Sequence, residues 1–108
     1  MPTLESSATQ SATLDTEHTL ATITTNKFFE LYVDVSNMAL GDKLLIRAKY
    51  ICLTAGAEQL FSMIPVDHVP TEKFVRSGPI ASDISVKFTL EQTDGTGRNF
   101  PWKVLSWT

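Results

Sequence analysis

From Ile84 to Glu91 apolar and polar side chains alternate at every position: Ile84, Val86, Phe88 and Leu90 on one side, Ser85, Lys87, Thr89 and Glu91 on the other. A side-chain period of two belongs to the β-strand, so this stretch predicts a half-buried strand. The run KFFELYVDV repeats the pattern, with Phe29, Leu31, Val33 and Val35 opposed to Glu30, Tyr32 and Asp34. In KLLIRAKYICLT, Leu44, Ile46, Ala48, Tyr50 and Cys52 share one face, while Leu45, Ile51 and Leu53 make the second face partly apolar too. That composition predicts a central strand. Twelve residues with adjacent leucines also fit a helical face, but the flanking Gly41 and Gly56 and the two-residue charge alternation favour strand.

The remaining segments are shorter. EQLFSMIP fits one helical turn or a strand ended by Pro65, with strand favoured, and VDHVPTEKFVRSGPIASD, with Pro70 and Pro79, reads as two short extended pieces in a long connection. NFPWKVLSW follows the turn residues Asp94, Gly95, Thr96 and Gly97, which predicts a β-hairpin with the preceding strand. Pro101 lacks an N–H and must sit at an edge, a bulge or the start of a ladder. Phe100, Trp102 and Val104 are expected to bury, leaving Lys103, Leu105 and Trp107 on an unusually apolar outer face, where Trp107 either covers its own core, the commoner place for a tryptophan near a terminus, or meets another subunit. Leu14 to Thr22 alternates as an edge strand. Before it, residues 1–13 are rich in Ser and Thr and hold no aromatic, too little apolar surface to order alone, so they are expected to form a flexible arm. The fold expected is all-β: an antiparallel β-sandwich or jelly-roll-like barrel over residues 14–108, preceded by the arm.

Charge narrows the partners. Residues 1–26 carry Glu5, Asp15 and Glu17 and no Lys or Arg, so the net charge of −3 resides there and the body is neutral. A neutral body offers phosphate backbones no long-range attraction, which disfavours nucleic acid as the partner. No apolar run approaches the ~18 residues of a membrane span, and no secretory signal pattern opens the sequence. Cys52, the single cysteine, has no internal disulfide partner and is expected as a small buried hydrophobe.

Catalytic patterns are missing. DGTGRNF lacks the third glycine and the following helix of a dinucleotide loop. His18 and His68 are fifty residues apart with no cysteine close by, which predicts no metal site. Asp67 and His68 have no strained nucleophile turn such as GxSxG to serve, and the carboxylates are scattered singly. No catalytic, cofactor-binding or metal residue is assigned, and no cofactor is expected.

Two segments carry a resemblance. Residues 32–42, YVDVSNMALGD, and residues 92–104, QTDGTGRNFPWKV, with the alternating strands around them, resemble small structural proteins of tailed bacteriophages over residues 28–105. The resemblance implies a non-enzymatic virion component, made in the host cytoplasm. Its leading role would be a capsid decoration or cement protein that binds the major capsid protein or another virion protein as a homo-oligomer. A tail or head-to-tail component comes next. A different class is a β-sandwich module that binds carbohydrate or a host surface, with Trp102, Trp107 or Tyr32 stacking on sugar rings. The residues expected to meet a partner are Leu4, Leu14 and Leu20, the large apolar groups of the leading segment, and Arg98, Trp102 and Trp107 at the chain's last turn and strand.

Overall fold

The computed structural model describes residues 3–24, 27–51, 59–67, 73–82 and 85–107. The described residues form nine strands: β1 (Thr3–Ser11), β2 (Glu17–Ile23), β3 (Lys27–Asp34), β4 (Lys43–Ile51), β5 (Gln59–Asp67), β6 (Phe74–Arg76), β7 (Ile80–Ser82), β8 (Ser85–Asp94) and β9 (Asn99–Trp107). They build two antiparallel sheets, one ordered β1-β9-β3-β6 with β7 also on β3, the other ordered β2-β8-β4-β5. The protein is an all-β sandwich, a slab of 41 × 31 × 19 Å.

The connectivity is that of a jelly roll. The chain changes sheet at nearly every connection: β1 lies in the first sheet, β2 in the second, β3 in the first, β4 and β5 in the second, β6 and β7 in the first, β8 in the second and β9 in the first. Strands β6 and β7 share one sheet position. Arg76 to Phe74 pair with Tyr32 to Asp34, and Ile80 onward with Phe29 to Lys27. Between them Gly78, at φ 79°, and Pro79 break the strand. Ser77 covers the gap, its N–H donating to Leu31 O and its Oγ accepting from Leu31 N–H, both at 3.0 Å.

Both long alternations are as the sequence predicts. Phe29, Leu31, Val33 and Val35 face Leu44, Ile46, Ala48, Val86, Phe88 and Leu90 across the sandwich, with Phe100, Trp102 and Val104 completing the core. β4 is central, between β8 and β5. β5 continues through Pro65 to Asp67, where a proline is tolerated because β5 is an edge and that N–H side needs no partner. Pro101 lies at the third position of β9, beyond the last pair with β3 (Val33 with Trp102), so the missing donor interrupts no ladder there. Cys52, Leu53, His68 and Ile84 lie outside the described residues.

Three expectations are corrected. The predicted β8–β9 hairpin is an arch: β8 pairs with β2 and β4, β9 with β1 and β3, and the four loop residues cross between the sheets. Alternating strands around a glycine turn read alike in sequence whether they pair or face one another. The leading segment is no flexible arm, since Thr3–Ser11 is β1, laddered antiparallel to β9 from Thr3–Ser106 to Ser11–Asn99. Backbone hydrogen bonds hold it, independent of the side-chain composition that marked it as disordered. Finally, Leu14 and Asp15 form the turn before β2, with Asp15 at φ 61°, and the second strand begins only at Glu17.

Phe88 is fully buried at the middle of β8. Phe88→Ala is expected to destabilise the domain by about 3–5 kcal/mol, read as a lower urea midpoint; a loss under 1 kcal/mol would mean that this core is not packed as described.

Candidate interaction surface

The two segments that carry the resemblance meet at one end of the sandwich. Asp42, 1% exposed, ends the β3–β4 loop. Its Oδ2 accepts from Ala39 N–H at 2.8 Å and from Arg98 Nε at 2.9 Å, and its Oδ1 from Thr96 N–H at 3.1 Å. Gln92, also buried, lies inside the β8–β9 arch: its Nε2 donates to Asp94 O and Thr96 O, and its Oε1 accepts from Arg98 N–H. Asn37 Nδ2 donates to Asn99 O at 2.8 Å. Side chains thus replace the ladder bonds that a hairpin would have made. Burial alone would push the Asp42 carboxyl up, but the Ala39 and Thr96 N–H groups and the Arg98 guanidinium outweigh it and hold its pKa below the ordinary value. Gly95 is required here: at φ 93° an added Cβ would also come within 2.8 Å of Asp42 Cα. This cluster closes the fold and leaves no free reactive group.

The outer face of the second sheet is charged and self-satisfied. Arg47 Nη1 lies 2.8 Å from Glu91 and 3.6 Å from Glu17, Lys49 Nζ is 2.9 Å from Glu17, and Thr89 Oγ1 donates to Glu17 at 2.6 Å. The Thr89 hydroxyl, Lys49 and Arg47 hold the Glu17 pKa below its ordinary value. Leu60 and Met63 stand exposed on β5 opposite Lys49 and Arg47.

The outer face of the first sheet is different. Alternation sends Phe28, Glu30 and Tyr32 of β3 outward, directly opposite Trp107, Leu105 and Lys103 of β9, and Leu4 of β1 lies beyond Leu105. Phe28 stacks on Trp107 with ring centres 6.4 Å apart and planes 20° from parallel. Leu4 is 57% exposed and Phe28 46%. Toward β6, Lys103 Nζ sits 5.3 Å from the Tyr32 ring centre and Phe74 is exposed. Tyr32, Phe74, Lys103, Asp34 and Pro101 line a shallow groove of about 410 Å³. Beneath them Glu30, 6% exposed despite its outward register, accepts a hydrogen bond from the Tyr32 phenol and raises its pKa. The result is a contiguous aromatic and aliphatic surface crossing β1, β9, β3 and β6.

The six residues expected to meet a partner are dispersed over the fold. Leu4 and Trp107 share this outer face. Leu14 is exposed in the β1–β2 turn. Leu20 is half-buried against the core, Trp102 is 8% exposed within it, and Arg98 is committed to Asp42. Trp102, although mostly buried, also lines the groove beside Tyr32 and Phe74. Phe28 and Phe74 were missed as surface residues, although extending the β3 alternation one residue back places Phe28 outside, whereas Leu105 stands on the outer face as expected. His18 accepts a hydrogen bond from Thr13 N–H at 3.0 Å, and among the described residues no group of three His, Cys, Asp or Glu side chains could hold a metal ion.

No family model, no curated protein and no solved structure matches this chain.

Asp42 ties stability to pH. Its folded-state pKa lies below the unfolded value of about 4, so its contribution is complete above pH ~4 and fades as pH falls through the folded-state value. Asp42→Asn is expected to lower stability at pH 7 by about 3 kcal/mol and to flatten the acid limb of a stability-against-pH curve. An unchanged acid limb would refute the coupling. Gly95→Ala should destabilise by about 2 kcal/mol from positive φ and the approach to Asp42, measured by thermal unfolding.

Proposed function

We propose that this chain is a non-enzymatic structural protein of a bacteriophage virion, most simply a capsid decoration or cement protein that binds the capsid lattice as a homo-oligomer. The observation that carries the reading is the contrast between the two outer faces. One is a network of paired charges with Leu60 and Met63 exposed along its β5 edge; the other presents Leu4, Phe28, Leu105 and Trp107, continuing to Tyr32 and Phe74. Exposed contiguous apolar surface on a rigid slab marks a place where another protein sits. Aromatic groups at its centre are the residue types that dominate such contacts. The body of the chain, neutral overall, suits attachment to a protein lattice rather than to nucleic acid. The resemblance of residues 28–105 to tailed-phage structural proteins supplies the partner class.

The groove beside Tyr32 and Phe74 favours a second reading, a glycan-binding module, since an exposed ring flanked by Asp34 and Lys103 is a surface on which a sugar can stack and hydrogen-bond.

Both are tested by sedimenting the purified chain with undecorated capsid particles of a tailed phage and by screening it against glycans. The expected result is saturable, stoichiometric binding to particles. It should weaken about tenfold or more in a Leu4→Ser, Phe28→Ser double variant that keeps its circular dichroism spectrum, while Lys49→Ser leaves it unchanged. Binding to glycans without particle binding would transfer the assignment to the second reading.

A further inference from the structure

We infer that β1 is an exchangeable strand: two copies of this chain assemble by trading it, each β1 completing the other copy's sheet beside β9. The inference deepens the homo-oligomer part of the function proposed above, and it can be tested without any particle.

Three observations carry it. First, β1 makes an eight-pair ladder with β9 yet contributes no buried residue, with Leu4 itself mostly exposed. The strand is held by backbone hydrogen bonds and a few polar contacts, all of which an identical strand from a second copy can supply, and the core needs no repacking when it leaves. Second, the hinge is short and strained. Only residues 12–16 connect β1 in one sheet to β2 in the other, and within them Asp15, a non-glycine residue, stands at φ 61°. An extended hinge releases that conformation, and short strained connections are the ones that favour exchange over closure.

Third, the seat is specific for this strand. Departure of β1 would bare the β9 edge, which must then be re-covered. At the bulge between Leu4 and Ser6, Glu5 Oε1 accepts from Ser106 Oγ at 2.5 Å and from Lys27 Nζ at 3.2 Å. At the far end Ser11 Oγ donates to Asn99 Oδ1 at 2.8 Å. These contacts fix the register at both ends, and a second copy of this chain carries the matching sequence. An opening hinge gives up Thr13 N–H to His18 Nε2, Thr16 N–H to Thr13 O and one longer-range bond, Asp15 N–H to Gln92 O, while Ala12 N–H to Arg98 O, at the end of β1, is one that the second copy's Ala12 can remake.

The experiment uses the full chain with Cys52→Ser, Ser7→Cys and Lys103→Cys, which places a cysteine pair at directly opposed positions of β1 and β9. The protein is refolded over a range of concentrations, oxidised, and run on a non-reducing gel beside light scattering of the unoxidised sample. Exchange predicts disulfide-linked dimers whose share rises with concentration. Internal bonds alone, in a monomer or in a dimer assembled some other way, overturn it; in the latter case the homo-oligomer reading survives without exchange. In the otherwise unaltered chain, deleting Thr13 and Leu14 should give almost wholly dimer, and inserting three Gly or Ser residues after Thr13 should give monomer. A shortened-hinge chain that folds as a monomer overturns the proposal independently of the disulfide.

Discussion

A jelly roll asks the chain to leave one sheet and enter the other again and again, and each crossing strips backbone groups of the ladder partners that a hairpin would have given them. In this protein the burden at one end falls on a single buried carboxylate. Asp42 takes N–H groups from its own loop at Ala39 and from the β8–β9 arch at Thr96, and pairs with Arg98 on the far side of that arch. Gln92 performs the complementary task from inside the arch. The β1–β2 turn is fastened to the same place, with Ala12 N–H donating to Arg98 O and Asp15 N–H to Gln92 O. Three strands of each sheet, β1, β9 and β3 against β2, β8 and β4, are thereby tied together at this end. An unpaired carboxylate at this depth would be costly, so the cluster is stable only when complete. This gives the segments YVDVSNMALGD and QTDGTGRNFPWKV a folding explanation: their polar residues are spent on one another.

With its polar motifs turned inward at the loops, the chain is left with two broad outer faces, and these have diverged. Arg47, Lys49, Glu17 and Glu91 neutralise one another across three neighbouring strands of the second sheet. The four side chains are half-buried, and each charge has its partner within the network. Their effect is to keep that face wet, since an apolar partner would have to strip water from four charges at once. No such barrier protects the face bearing Phe28, Leu105 and Trp107. The same alternation that buries Phe29 and Val104 puts these three outside, so core and surface patch are two sides of the same strands and cannot vary independently in register.

How much of this was legible depends on the distance over which each feature is decided. The buried faces of β3, β4, β8 and β9 are local, fixed by a period of two, and the reading holds for Phe29 to Val35, Leu44 to Ala48, Val86 to Leu90 and Phe100 to Val104, with Tyr50 only partly buried. Sheet membership is decided across the core. A glycine turn after Asp94 looks the same in a hairpin and an arch, and what selects the arch is the reach of Gln92 and Asp42, fifty residues apart in sequence. β1 was misread because composition reports on side chains, whereas this strand is held by its backbone; only the unpaired edge of β9, invisible before β9 is placed, calls for it. Among the surface residues, Trp107 was legible from alternation. Phe74 was not, because its place beside Tyr32 depends on β6 returning to β3 across the long connection.

The sheet edges complete the account. β5 carries Pro65, the β6–β7 position is broken at Gly78 and Pro79, and β2 is kinked by a register shift between Thr19 and Ala21. Each of these devices discourages a further strand from adding on. β1 has a bulge near its start, but from Ser6 to Ser11 it runs unbroken, without proline or charge. It is thus the least guarded edge, and it is also the strand that contributes least to the core. Between the contacts of Glu5 and Ser11 near its two ends, no β1 residue is buried, so core packing constrains its sequence little. A strand so placed is free to be selected for what lies outside its own chain, which is where the aromatic surface beginning at Leu4 also points.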